Sequence, residues 1–138
     1  MVKKPFPGQF GSLAEISAYI IQAGKQAGLD ESQIYEVQLA VDEAATNIIE
    51  HAYRHTENGI IEVSYEILPN GLKVIMIDQG ETFNPDIVPE PLFTTDIESV
   101  KPRGLGLYIM RKVMDEVSFE FKTGDGNILT MVKYNNKK

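Results

Sequence analysis

Glu43 and Asn47 stand four residues apart in the segment Leu39-Ala-Val-Asp-Glu-Ala-Ala-Thr-Asn-Ile-Ile-Glu-His-Ala-Tyr53. On a helix that spacing sets both side chains on one face, one turn above the other. A carboxylate and an amide so placed suit Mg2+ chemistry. The Asn47 carbonyl is a hard oxygen ligand, and Glu43 could orient or deprotonate a hydroxyl nucleophile. His51 and Arg54 continue the line, and a solvated helix face is the plainer explanation of the spacing. A second cluster is Asp78-Gln-Gly-Glu-Thr-Phe83. Asp78 stands where an apolar run stops, and Gly80 permits close approach or a positive φ. A buried carboxylate there would accept a hydrogen bond from an exocyclic amine such as that of adenine, with Phe83 supporting the loop or lining the pocket; an ordinary turn aspartate is the competing reading. The third cluster is Arg103-Gly104-Leu105-Gly106-Leu107. Glycines at a helix start expose backbone N–H groups that, with the helix dipole, favour phosphate, and Arg103 adds charge. The alternative is a flexible hinge. No Lys-Ser/Thr follows, so this is not a Walker A loop, and Ile109 stands where a dinucleotide fingerprint has glycine.

These residues need elements to hold them. The first ten residues, with Pro5, Pro7 and Gly8, read as a terminal arm rather than an element. Ser12-Leu-Ala-Glu15 matches a capping box, and Leu13, Ile16, Ile20, Ala23 and Ala27 follow at helical spacing, with Gly28 suited to the C′ position. Asp30 opens a second helix, whose Ile34, Val37, Val41, Ala44 and Ile48 form one apolar stripe. From Gly59 the period becomes two, through Ile61, Val63, Tyr65 and Ile67. After a Pro69-Asn70-Gly71 turn, the run 72–78 returns; its near-continuous apolarity predicts a strand inside the sheet. The stretch from Gln79 to Arg103 holds four prolines and no clear period. A third helix starts at Gly104, and strands about Val117–Phe121 and Ile128–Tyr134 flank a Gly124-Asp-Gly-Asn127 turn. Helices and antiparallel strands in runs predict an α+β, two-layer sandwich.

The 138 residues fit one domain. An apolar content of 43% and a charged content of 24% are those of a soluble globule. Thirteen Lys and Arg against twenty Asp and Glu leave a net charge of −7, which argues against direct nucleic-acid binding or an anionic membrane as the main partner. The absence of cysteine excludes disulfides, thiolate metal sites and a Cys nucleophile. No apolar run approaches the ~18 residues of a membrane span, and the expected location is the cytoplasm.

The three clusters in this order resemble the Bergerat (GHKL) ATPase fold shared by gyrase, histidine kinases and MutL, over nearly the whole chain. Within it, the segments 39–53 and 103–117 are similar to the RsbW and SpoIIAB group of serine-protein kinases and anti-sigma factors. The resemblance implies a histidine-kinase-like ATPase domain over 1–138, with an N-terminal arm at 1–11, an ATP lid at 79–103, and a mixed, mostly antiparallel sheet covered by helices on one face. It implies ATP and Mg2+: Asn47 would hold the metal and Glu43 would be the general base. Asp78 would read the adenine amino group, with Gly80 letting the base approach. The backbone of Gly104, Leu105, Gly106 and Leu107 would cradle phosphate beside Arg103, and Thr130 would support the adenine site. The implied activity is transfer of the γ-phosphoryl group to a serine of a STAS-domain anti-anti-sigma protein, by a chain that also sequesters a sigma factor or other regulator; a homodimer is one assembly the resemblance allows, and the short N-terminal arm leaves the oligomeric state open. An ATP-liganded binding module without kinase activity and a simple ATP hydrolase are the alternatives. The chain departs from the family pattern in three places. Val2–Gln9 offers at best a short strand where the family has one before helix one. Asn84 stands where Asp is frequent, and Gly126-Asn127 replaces a commoner Gly-Thr, which predicts a looser nucleotide contact there.

Overall fold

The computed structural model describes residues 2–52, 59–80, 102–122 and 126–135, and the backbone alone for residues 51, 52, 102–105 and 122. In chain order the elements are β1 (Val2–Pro7), a 3-10 turn (Phe10–Ser12), α1 (Leu13–Gln26), α2 (Glu31–Asn47) with a π-helical turn (Ile48–Ala52), β2 (Ile60–Leu68), β3 (Gly71–Asp78), α3 (Pro102–Val113), β4 (Glu116–Lys122) and β5 (Gly126–Tyr134). The five strands form one sheet in the order β1-β2-β3-β5-β4, and every pairing is antiparallel. β3 lies at its centre, where its near-continuous apolarity places it.

The N-terminal arm expected over 1–11 is instead a paired edge strand and a 3-10 turn. β1 runs against β2 from Val2 opposite Tyr65 to Pro7 opposite Ile60. Pro5 and Pro7 lack N–H donors, but they are two apart and so face the same side of the strand. The Gly8 N–H reaches the Gly59 carbonyl at 2.8 Å, which puts the even-numbered amides toward β2 and the two prolines toward the open edge.

The expected capping box at Ser12 does not form. The 3-10 turn already holds Ser12 in the right-handed helical region (φ −83°, ψ −14°), and its side chain makes no capping bond. The box occurs one helix later. Asp30 is extended, its Oδ1 accepts from the Gln33 N–H at 2.8 Å, and the Gln33 Oε1 accepts from the Asp30 N–H at 3.1 Å. α1 ends as its sequence predicts: Gly28 takes φ 75°, its N–H donates to the Lys25 carbonyl, and the Leu29 N–H donates to the Gly24 carbonyl. α3 begins two residues before Gly104, with Pro102 at the first helical position, where a missing N–H costs no intrahelical bond.

The helices cover one face of the sheet. Phe6, Ile61, Val63, Tyr65, Leu72, Val74, Met76, Leu129 and Met131 point to that face and pack with Ile16 and Ile20 of α1, Val37, Val41 and Ala44 of α2, and Leu107 and Met110 of α3. Asp78 ends the β3 row on this same covered face, opposite Ile61 on one side and Asn127 on the other. Lys133 joins three elements at the far end of the core: its Nζ donates to the Val113 carbonyl at the end of α3 and lies 3.3 Å from Glu36 Oε2 on α2. No helix among the described residues is long and apolar enough to cross a membrane.

Candidate functional site

α2 presents Glu43 and Asn47 on its final turns, and the π-helical turn begins at the next residue. Such turns carry one extra residue and recur at functional sites. Ile48 and Ile49, 8% and 7% exposed, anchor it in the core. Glu43 is half-buried, and its pKa is raised first by burial and then by repulsion from Asp42 and Glu50. A carboxylate raised in this way is a better proton acceptor than a free one. Asn47 Nδ2 is buried with no hydrogen-bond partner among the described residues. Leaving such a group unmade costs about 1–3 kcal/mol, so the position points to a ligand that completes it.

α3 packs against this pair through Gly106. A Cβ at Gly106 would stand 3.1 Å from Glu43 Oε2, 3.1 Å from Asn47 Nδ2 and 3.5 Å from Asn47 Oδ1. The glycine therefore lets the α3 backbone lie directly on the two polar side chains. In α3, residues 103–105 fall in the first turn, where amides have no intrahelical acceptor. Gly106 and Leu107 lie further in, and Leu107 is 2% exposed in the core. Of the expected phosphate cradle, residues 103–105 thus occupy the helix start, Gly106 makes the contact with α2, and Leu107 serves packing.

The second cluster forms where β3 ends. Asp78 is 6% exposed. Its Oδ1 accepts from the Gly80 N–H at 2.9 Å and from Asn127 Nδ2 at 2.9 Å, and Asn127 Nδ2 also reaches the Gly80 carbonyl at 3.2 Å. Burial raises the Asp78 pKa, and the bonds from Asn127 and Gly80 oppose the rise. Asn127 thus ties Asp78 and Gly80 together. Thr130 is not part of it: it pairs with Ile75, and along β5 it alternates with Asn127 onto the opposite face of the sheet. Phe83 and residues 81–101 of the expected lid lie outside the described residues, while 102 and 103 belong to α3.

The donor set fits Mg·ATP. Among the described residues no three His, Asp or Glu side chains converge as a metal cage. Mg2+ characteristically keeps waters and substrate phosphates and takes only one or two protein oxygens. Asn47 would be the residue to hold it, since a half-turn of its amide exchanges nitrogen and oxygen at the buried position.

The profile of the family described as histidine kinase-like ATPase domain matches residues 6–133. The chain is 34% identical over 111 residues to a Halalkalibacterium halodurans protein named serine-protein kinase RsbW, covering 78% of this chain and 66% of that protein. It is 32% identical over 118 residues to the serine-protein kinase RsbW of Staphylococcus aureus, covering 82% and 73%. Two solved structures share the fold. The RsbU and RsbW domains of a Mycobacterium tuberculosis protein align with a TM-score of 0.63 at 14% identity, over 97% of this chain and 32% of that one. The catalytic domain of the histidine kinase ThkA aligns with a TM-score of 0.58 at 17% identity, over 98% and 99%.

Proposed function

This chain belongs to the histidine kinase-like ATPase domain family, and from that premise we propose that it is an ATP-dependent protein-serine kinase that acts as an anti-sigma factor in a partner-switching pathway. The observation that carries the reading is the contact of Gly106 with Glu43 and Asn47, which brings α3, just behind its first turn, against a carboxylate suited to proton transfer and an amide suited to a metal. The name serine-protein kinase borne by the relatives supports a serine acceptor. The proposed acceptor is a STAS-type anti-anti-sigma protein in the cytoplasm, and the proposed sequestered partner is a sigma factor.

In the transfer, the acceptor serine oxygen bonds to the γ-phosphorus as the bond from that phosphorus to the β,γ-bridging oxygen breaks, and ADP departs with the electron pair. Glu43 takes the serine proton. Asn47 would hold Mg2+, which would supply charge neutralisation at the phosphates. Asp78 accepts from the adenine amino group, and the amides at the start of α3 donate to phosphate.

The test is a phosphotransfer assay with Mg·ATP and a STAS protein from the same genome. The wild-type chain is expected to label one serine. Glu43→Gln is expected to bind ATP as the wild type does while transfer falls by about 10²–10⁴-fold, the usual contribution of a positioned base. ATP binding by the wild type with phosphate released only to water would identify a hydrolase instead.

A further inference from the structure

We propose that Asn127 is the positioning residue that sets base selectivity, holding the Asp78 carboxylate and the Gly80 carbonyl in the arrangement that accepts adenine and rejects guanine. That assignment deepens the ATP reading above and rests on it. The register puts Asn127 directly opposite Asp78, on the helix-covered face. Its Nδ2 donates to Asp78 Oδ1 at 2.9 Å and to the Gly80 carbonyl at 3.2 Å, so one amide fastens both ends of the turn that leaves β3. With the Gly80 N–H also on Oδ1 at 2.9 Å, the carboxylate plane is fixed and Oδ2 is the oxygen left to the ligand. The preceding residue is built for this approach. Gly126 has φ +86°, and a Cβ there would stand 2.3 Å from the Asp78 carbonyl oxygen, so only glycine lets β5 come close enough for Asn127 to reach.

The selectivity follows from donors and acceptors. An ionised carboxylate only accepts, so it pairs with the exocyclic amine of adenine and opposes the carbonyl that guanine presents at the same ring position. Asp78 is buried, which favours its neutral form, and a neutral acid can donate to that carbonyl. The two donors on Oδ1 counter this, and Asn127 supplies one of them. Removing that donor weakens the bond to adenine and relaxes the discrimination against guanine.

Calorimetric titration with ATP, GTP and inorganic tripolyphosphate, all with Mg2+, tests this. Asn127→Leu removes both donated bonds at nearly constant volume. It is expected to lower ATP affinity about tenfold, to narrow the ATP-to-GTP ratio, and to leave tripolyphosphate binding unchanged. Asn127→Thr, which returns a hydroxyl donor to Asp78, is expected to restore the preference for ATP. Should Asn127→Leu not fold, Asn127→Ala carries the same comparison. A wild-type ATP-to-GTP ratio in the folded variant overturns the assignment, as does an equal loss of ATP and tripolyphosphate, which would mark a merely structural residue. A wild-type chain that binds no ATP overturns the nucleotide reading itself, whereas wild-type binding with an unaffected variant overturns only the role of Asn127.

Discussion

Asp78 is 6% exposed, and although two hydrogen bonds support its carboxylate, burial leaves its pKa above the ordinary 3.8. A folded-state value above the unfolded one means that the native chain binds the proton more tightly. The group is then no burden below pH 3.8, its contribution worsens as pH rises through the folded-state value, and above that value it weighs against folding at a constant level. Asp78→Asn removes the charge and keeps an oxygen that can accept from Gly80 and Asn127. Without nucleotide, the variant is expected to be at least as stable as the wild type at pH 7 in urea unfolding, with the gain vanishing below pH 4. Its ATP affinity should fall about 10–100-fold, since a bond to a charged acceptor is lost. Lower stability at pH 7 would show that the charge is no burden to the fold. Residue types and spacing made Glu43, Asn47 and Asp78 legible in the sequence. Thr130 was not placeable in the same way, because a strand residue's face depends on parity relative to its partner, and only the pairing of Asp78 with Asn127 fixes that parity. The same parity places Asn127 directly opposite Asp78.

Between elements, the contact of α2 with α3 sets stability and chemistry against each other. Gly106 lies within α3, where glycine costs about 1 kcal/mol relative to alanine in helix propensity. The atoms a Cβ would crowd, at 3.1 Å, are the ends of flexible side chains that can give way, but they belong to Glu43 and Asn47. Gly106→Ala is therefore expected to leave the melting temperature unchanged or raise it by a few degrees, while phosphotransfer falls because Glu43 and Asn47 must each give by a few tenths of an ångström and catalysis is sensitive to such misplacement. Calorimetric melting and the transfer assay separate the two effects, and unaltered transfer would remove Gly106 from the site. Helix α2 was readable from its stripe of Val37, Val41 and Ala44, and the end of α1 from Gly28. The π-helical turn after Asn47 was not, since Ile48 and Ile49 continue the apolar content with no change of period. The box at Ser12 failed for a related reason: the motif reports which residues could cap, whereas the 3-10 turn before it decides the backbone angle.

Across the whole molecule, the first strand extends the row of the sheet in which Asp78 lies. Phe6, Ile61, Asp78 and Asn127 form one continuous row across four strands on the covered face. Phe6 is 1% exposed, and its ring meets that of Tyr19 edge-on at 5.7 Å, which in turn meets Tyr65 at 5.3 Å. Those contacts bind β1 to α1 as well as to β2. Val2, at the other end of the strand, is 51% exposed. Two prolines in six residues concealed the strand from the sequence, because their exclusion from sheets applies to interior strands and not to the open side of an edge. The strand and an unpaired arm make different forecasts. With the strand, Phe6→Ala removes a fully buried ring and is expected to cost about 3–5 kcal/mol, whereas Val2→Ala stays within about 0.5 kcal/mol. A domain of this kind has roughly 5–15 kcal/mol in all, so Phe6→Ala consumes a large share of it and loosens the row that carries Asp78. Urea denaturation of the two variants measures the difference directly. Near-identical midpoints would return residues 2–7 to the status of an arm, while a large gap, with ATP affinity reduced in Phe6→Ala and intact in Val2→Ala, would establish that the N-terminal strand braces the nucleotide end of the sheet.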